Sequence, residues 1–129
     1  MTENVIGTIV VDAAIAVHQE LGPGLLESVY EYVLAEELKR RGLTAKRQVP
    51  VPINYRGMRF DEGFRSDVIV EDKVILEMKA VQQIHNAHKK QLLTYLRLTG
   101  YKLGFLLNFN EALMKDGITR MVNGLDEGG

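Results

Sequence analysis

Apolar residues recur at helical spacing over about residues 6–21, through Ile9, Ala13, Ala16 or Val17 and Leu21, and this 3.6-residue period predicts a first helix. The run "GPG" at residues 22–24 should end it, because proline lacks a donor and glycine admits left-handed backbone. A second helix is predicted over about residues 26–41, with Val29, Val33 and Leu38 broadly to one side, a basic last turn and Gly42 as its C-terminal cap. The period then changes to two. From residue 45 to residue 80, β-branched residues, the turn-like Tyr55-Arg56-Gly57 and the polar break Glu71-Asp72-Lys73 read as three strands. Pro50 and Pro52 limit the first of these to an edge or an irregular stretch. A third helix over about residues 82–98, closed by Gly100, leads into a buried strand in "YKLGFLLNF", and "GITRMV" reads as a last short strand. Residues 1–5 and 124–129 are expected to fray. Helices first, a meander of strands, a crossover helix and another strand give an α/β (α+β) chain, an α/β/α sandwich with a central mixed sheet in which two helices can cover one side.

The predicted strand "VILEMKA" carries Glu77 and Lys79 in a run that otherwise wants burial. If Glu71-Asp72-Lys73 is a three-residue loop, Val70 pairs with Val74 and Val68 with Leu76, and Asp67 faces Glu77. One face of the hairpin then holds Phe64, Val68, Val70, Val74, Leu76 and Met78, and the other holds Arg65, Asp67, Ile69, Ile75, Glu77 and Lys79. A two-residue loop would slip the register by one and send the two acids to opposite faces. The sorted register sets two carboxylates ~5 Å apart, which repel by roughly 3 kcal/mol at an effective dielectric of about 20. Something positive should stand beside them. Lys79 supplies part of that charge, and convergent oxygens are also what a hard divalent cation such as Mg²⁺ requires. The plainer explanation is a solvated strand face or a salt-bridged cluster.

The chain has 129 residues, 46% of them hydrophobic, which suits one domain with an ordinary core. It has no cysteine, which excludes disulfides and thiolate metal sites and fits a reducing cytoplasm. Its first residues lack a basic leader and are too interrupted by acids for a membrane span, so a soluble, cytoplasmic protein is expected. Net charge is −1, so there is no general basic excess to announce a nucleic-acid partner. The local clusters Lys39, Arg40, Arg41, Lys46, Arg47 and Lys89, Lys90 are explained equally by solvated helix ends.

Two helical segments add to the hairpin. The second helix opens with "GLLESVY", placing Glu27 in its first turn and Tyr30 three positions on, and the third carries "QLLTY", with Gln91 and Tyr95 one turn apart on a shared face. Gly24-x-x-Glu27-x-x-Tyr30 is the signature of the GxxExxY proteins, and Asp67, Glu77-Met78-Lys79 and Gln91-x-x-x-Tyr95 resemble the motifs of the PD-(D/E)xK nuclease superfamily in its RecB-like branch. The resemblance spans nearly the whole chain, and one departure is Ser66 where proline is common before the first acid.

The resemblance implies a restriction-endonuclease-like fold and a metal-dependent phosphodiester hydrolase acting on DNA. Asp67 and Glu77 would hold Mg²⁺ or Mn²⁺, with the Met78 carbonyl, and Glu27 would complete the site directly or through water. Lys79 would orient the attacking water or stabilise developing charge, while Gln91 and Tyr95 would position the substrate backbone or brace the carboxylates. The chemistry agrees independently, since a phosphodiester resists neutral water unless a metal acidifies it and a fixed cation meets the developing charge. His85 and His88 lack a third convergent ligand and read as surface polar groups, and His18 reads as a packing or capping residue. The alternative is a non-catalytic module that keeps the fold and binds nucleic acid or protein. Nucleic acid, DNA in the first place, is the expected partner; so small a chain would need a homodimer or a larger partner to cut both strands.

Overall fold

The computed structural model describes residues 1–126, in the order α1 (Glu3–Leu21), α2 (Glu27–Arg40), β1 (Ala45–Tyr55), β2 (Met58–Val70), β3 (Val74–Lys79), α3 (Asn86–Thr99), β4 (Leu103–Asn108), a 3-10 turn (Met114–Gly117) and β5 (Ile118–Val122). The strands form one sheet in the order β1-β2-β3-β4-β5. Pairing is antiparallel throughout except for β3 with β4, which run parallel because α3 carries the chain back across the sheet. This five-stranded mixed sheet between helical layers is consistent with a restriction-endonuclease-like fold.

Each face of the sheet has its own core. Val68, Val70, Val74, Leu76 and Met78 pack with Ile6, Val10, Leu34 and Leu38 of α1 and α2, whereas Ile69, Ile75 and Leu106 pack with Leu92 and Leu96 of α3. Two helices therefore cover one side and a single helix the other. The alternation along β3 is what divides its residues between the two cores.

Several boundaries have local causes. α1 starts at Glu3 because the Thr2 hydroxyl accepts the Val5 N–H, which draws into the helix residues that hydrophobic period alone left outside. α3 starts at Asn86, later than its period predicts, where the His85 N–H donates to His88 Nδ1 at 2.9 Å and residues 82–84 remain a loop. β1 is an edge strand, as its two prolines require. Tyr55 pairs with Met58 around a two-residue turn in which Arg56 and Gly57 both have positive φ, the geometry whose twist matches a hairpin. Leu125 packs against the larger core, so order extends into the expected tail, whose residues 127–129 lie outside those described.

The central hairpin adopts the sorted register, with Val68, Ile69 and Val70 opposite Leu76, Ile75 and Val74. One residue departs from the expected faces: Phe64 does not join Val68 but stacks on Tyr95 of α3, on the opposite side of the sheet. The cause lies in the neighbouring strand. Gln48 adopts φ of 52° and drops out of the ladder between the pairs Arg47–Val68 and Val49–Ser66. Before it Ala45 belongs to the larger core, and after it Val49, of the same parity, packs in the smaller one. A left-handed residue breaks strict two-residue alternation, and both strands change face beyond it.

Candidate active site

β2 and β3 pair only as far as Val68–Leu76, and Asp67 and Glu77 stand just past that last rung. Asp67 Oδ2 accepts the Met78 N–H at 2.9 Å, which turns its carboxylate toward β3. Glu77 is 6% exposed, and its Oε1 is the one buried side-chain oxygen or nitrogen among the described residues with no hydrogen-bond partner. Burial, reinforced by the charge of Asp67 and a hydrogen bond to it, pushes the Glu77 carboxyl up to about 9, while the Lys79 charge pulls only partly the other way. Two acids thus share a site that one proton or a cation must neutralise. Lys79 is half-buried on the same strand and makes no ion pair among the described residues.

Glu27 is held from the other side. As the first residue of α2 its Oε2 accepts the Ala80 N–H at 2.9 Å, tying the helix to the residue after Lys79. Gly24, at φ of 103°, makes the turn that only glycine enters freely. The Tyr30 hydroxyl donates to the Gly22 carbonyl at 2.6 Å and accepts the Leu25 N–H at 3.0 Å, while its ring stacks on Phe109 with centroids 4.4 Å apart. Gly24, Glu27 and Tyr30 therefore act as one clamp on the loop before α2. Asn108, which hydrophobic pattern did not single out, holds the far side: fully buried at the end of β4, it bonds both the carbonyl and the N–H of Val81, at 2.9 and 3.1 Å. The Phe109 N–H adds a bond to the Lys79 carbonyl at 2.9 Å. The one hint in the sequence was an amide closing an otherwise apolar strand.

The third wall is α3. The half-buried Tyr95 ring lies 3.8 Å from Phe64, centroid to centroid and nearly parallel. Burial, then the charges of Glu77 and Asp67, raise its phenol pKa, so the hydroxyl stays protonated and able to donate. Gln91 is exposed and makes no side-chain hydrogen bond among the described residues. His88 is spent on the start of α3, and His18 bonds the Glu111 carbonyl at 2.8 Å, both structural duties. A residue missed in the sequence is Glu31, one turn beyond Glu27. It is buried against Arg47 at 2.8 Å and Gln48 at 2.7 Å; burial raises its pKa and the charge of Asp67 adds to that.

The donor set suits a hard cation at Asp67 and Glu77, where a partnerless buried carboxylate oxygen meets a second carboxylate. Glu27 gives one oxygen, Oε2, to the Ala80 N–H, and among the described residues no three histidine or acidic side chains stand together closely enough to hold a metal ion. The basic cluster of residues 39–47 makes ion pairs, most of them at the exposed surface: Lys39 with Glu36, Arg40 and Arg41 with Glu37, Lys46 with Asp72 and Arg47 with Glu31. Among the described residues no helix is long and apolar enough to cross a membrane.

A family model for the PD-(D/E)XK nuclease superfamily matches residues 4–121. A solved chain described as "Crystal structure of SSO0001" is similar over 92% of this chain and 68% of that one, with 22% sequence identity and a TM-score of 0.45. No curated protein matches the sequence.

Proposed function

The chain belongs to the PD-(D/E)XK nuclease superfamily, and from that premise we propose a metal-dependent nuclease of the GxxExxY kind, in the RecB-like branch, that hydrolyses phosphodiesters of DNA. The observation that carries the proposal is the meeting of Asp67 and Glu77 beyond the last rung of β2 and β3, with a buried carboxylate oxygen lacking any partner. Held there by Asp67, Glu77 and the Met78 carbonyl, with Glu27 acting through water, Mg²⁺ or Mn²⁺ would supply acidified water and charge neutralisation at the phosphate.

The rest falls to the chain itself. Lys79 brings a fixed cation to the side where negative charge develops; the Phe109 N–H holds its carbonyl, and Asn108 holds Val81 two residues on. Tyr95, kept protonated, offers a hydrogen bond to a phosphate oxygen, and the exposed amide of Gln91 offers another one turn away along the substrate path. The lack of cysteine suits work in the cytoplasm. Cutting both strands of a duplex would take a second copy or a partner enzyme.

The rival reading is a binding module that has kept the fold. It leaves the acid pair unexplained, because two carboxylates facing phosphate repel it unless a cation intervenes. Purified protein incubated with linear DNA, circular DNA and RNA in Mg²⁺, Mn²⁺ and EDTA, beside an equally pure Glu77→Gln variant, separates the two. Metal-dependent cleavage lost in the variant is the expected result. No cleavage, with no metal binding by calorimetry, would leave the binding module.

A further inference from the structure

The ribbon formed by β1 and β2 runs on past the sheet. β3 pairs with β2 only at Val68, Ile69 and Val70, so the stretch of β2 from Met58 to Ser66 is paired with β1 alone. Near its end Ile53 pairs with Phe60 and Tyr55 with Met58, which places these four side chains on one face. Tyr55, Met58 and Phe60 are each more than half exposed, at 56, 54 and 57%. Single exposed apolar residues are ordinary, but a contiguous apolar face on a projecting ribbon marks a contact surface.

Its chemistry narrows the partner. Of the two cations in residues 53–60, Arg59 lies opposite Asn54, on the other face of the ribbon, and pairs with Asp61 at 3.1 Å, which leaves Arg56 beside the apolar face. Arg56 makes no ion pair among the described residues; its guanidinium lies over the Tyr55 ring, 5.4 Å from the centroid. A second copy joined tip to tip would bring Arg56 against its own symmetry mate. Aromatic rings edged by arginine are instead what unpaired bases stack on, with the cations left for phosphates. The ribbon also points back to the acid pair. Phe64, stacked on Tyr95, and Asp67 itself lie four and seven residues further along β2 than Phe60, at most about 13 and 23 Å away.

We infer that the outer face of this ribbon, Tyr55, Met58 and Phe60 with Arg56, is a docking surface for a nucleic-acid strand with unpaired bases, leading it to Asp67 and Glu77. The inference rests on the nuclease reading and deepens it by naming the substrate class. It also accounts for a chain with net charge −1. A duplex, whose bases are stacked inward, is gripped through its phosphates and calls for a basic surface; single strands are held in large part by stacking.

The test is fluorescence anisotropy in EDTA, where no cleavage occurs, with a labelled oligothymidylate and a labelled blunt duplex. The wild-type protein should bind the single strand at least tenfold more tightly than the duplex. Tyr55→Ala and Phe60→Ala should each weaken single-strand binding roughly tenfold, with unchanged circular dichroism and melting temperature, and Tyr55→Phe should retain it. Equal binding by the alanine variants, or no preference for the single strand, would overturn the inference. So would light scattering that finds a wild-type dimer and a monomeric Phe60→Ala, since the face would then cover a second copy. If binding behaves as expected while no metal restores cleavage, the docking surface stands and the nuclease reading fails.

Discussion

Glu77 concentrates the tension in this molecule at a single side chain. Its carboxyl titrates near 4.5 in the unfolded chain and about 9 in the folded one. Below 4.5 both states hold the proton and the group is neutral to stability. From there up to about 9 the folded protein must keep a proton that the unfolded chain has released, so stability falls by up to about 1.4 kcal/mol for each pH unit. Glu77→Gln removes the titration while keeping the shape. In EDTA it should therefore be more stable than the wild type by at most about 4 kcal/mol at pH 7.5, and by much less at pH 5. Urea unfolding of the two proteins at pH 5, 6 and 7.5 checks this, and parallel stability curves would refute it. Adding Mg²⁺ should narrow the gap at pH 7.5, because the cation takes the place of the proton. The pairing of Asp67 with Glu77 was legible in the sequence, since only one loop length sorts the hairpin into two coherent faces. The depth of Glu77 was not, because strand alternation cannot tell a wet face from one closed by a helix.

At the level of elements, the connection between α1 and α2 aims the site. Its three signature residues were visible as a spacing, yet their division of labour follows from packing. Glu27 is exposed and reaches Ala80, whereas Tyr30 is buried and turns back to Gly22 and Leu25. Tyr30→Phe preserves the stack on Phe109 and leaves the Gly22 carbonyl and the Leu25 N–H without their partner, a loss of about 1–3 kcal/mol where water cannot substitute. The expected outcome is a lower melting temperature, together with reduced cleavage at temperatures where both proteins are fully folded, because Glu27 loses its fixed approach. Unchanged activity under those conditions would make Tyr30 purely a stability residue. The edge position of β1 could be foreseen from Pro50 and Pro52, but the change of face at Gln48 could not. No propensity marks a glutamine for left-handed backbone, and its anchor, the Glu31 carboxylate, comes from a different element. Phe64 was misplaced for that reason alone.

Over the whole molecule the two helical layers are unequal, and the inequality bears on function. α1 and α2 share an extensive core, while the core at α3 has only five buried members, Ile69, Ile75, Leu92, Leu96 and Leu106, with Val49, Ile84, Tyr95, Tyr101 and Met121 partly buried around them. The order of elements already implied two helices on one side and one on the other. It could not reveal that Lys46 and Arg47, where the basic run enters β1, would pair with Asp72 and Glu31, because those acids reach them only through the fold. The thin layer carries Tyr95, so its seating should control the site. That seating depends on Gly104 of β4, where an added Cβ would stand 3.1 and 3.3 Å from Leu92 and Leu96 and 3.2 Å from the Ile75 carbonyl. Gly104→Val should lift α3 from the sheet and destabilise the fold by about 1–3 kcal/mol. Hydrogen exchange should then quicken in α3 while α1 and α2 stay protected, and cleavage should fall further than the loss of folded protein accounts for as Tyr95 leaves the acid pair. Uniformly faster exchange across all three helices would instead mean that the two cores open together, and that α3 is no more independent than its neighbours.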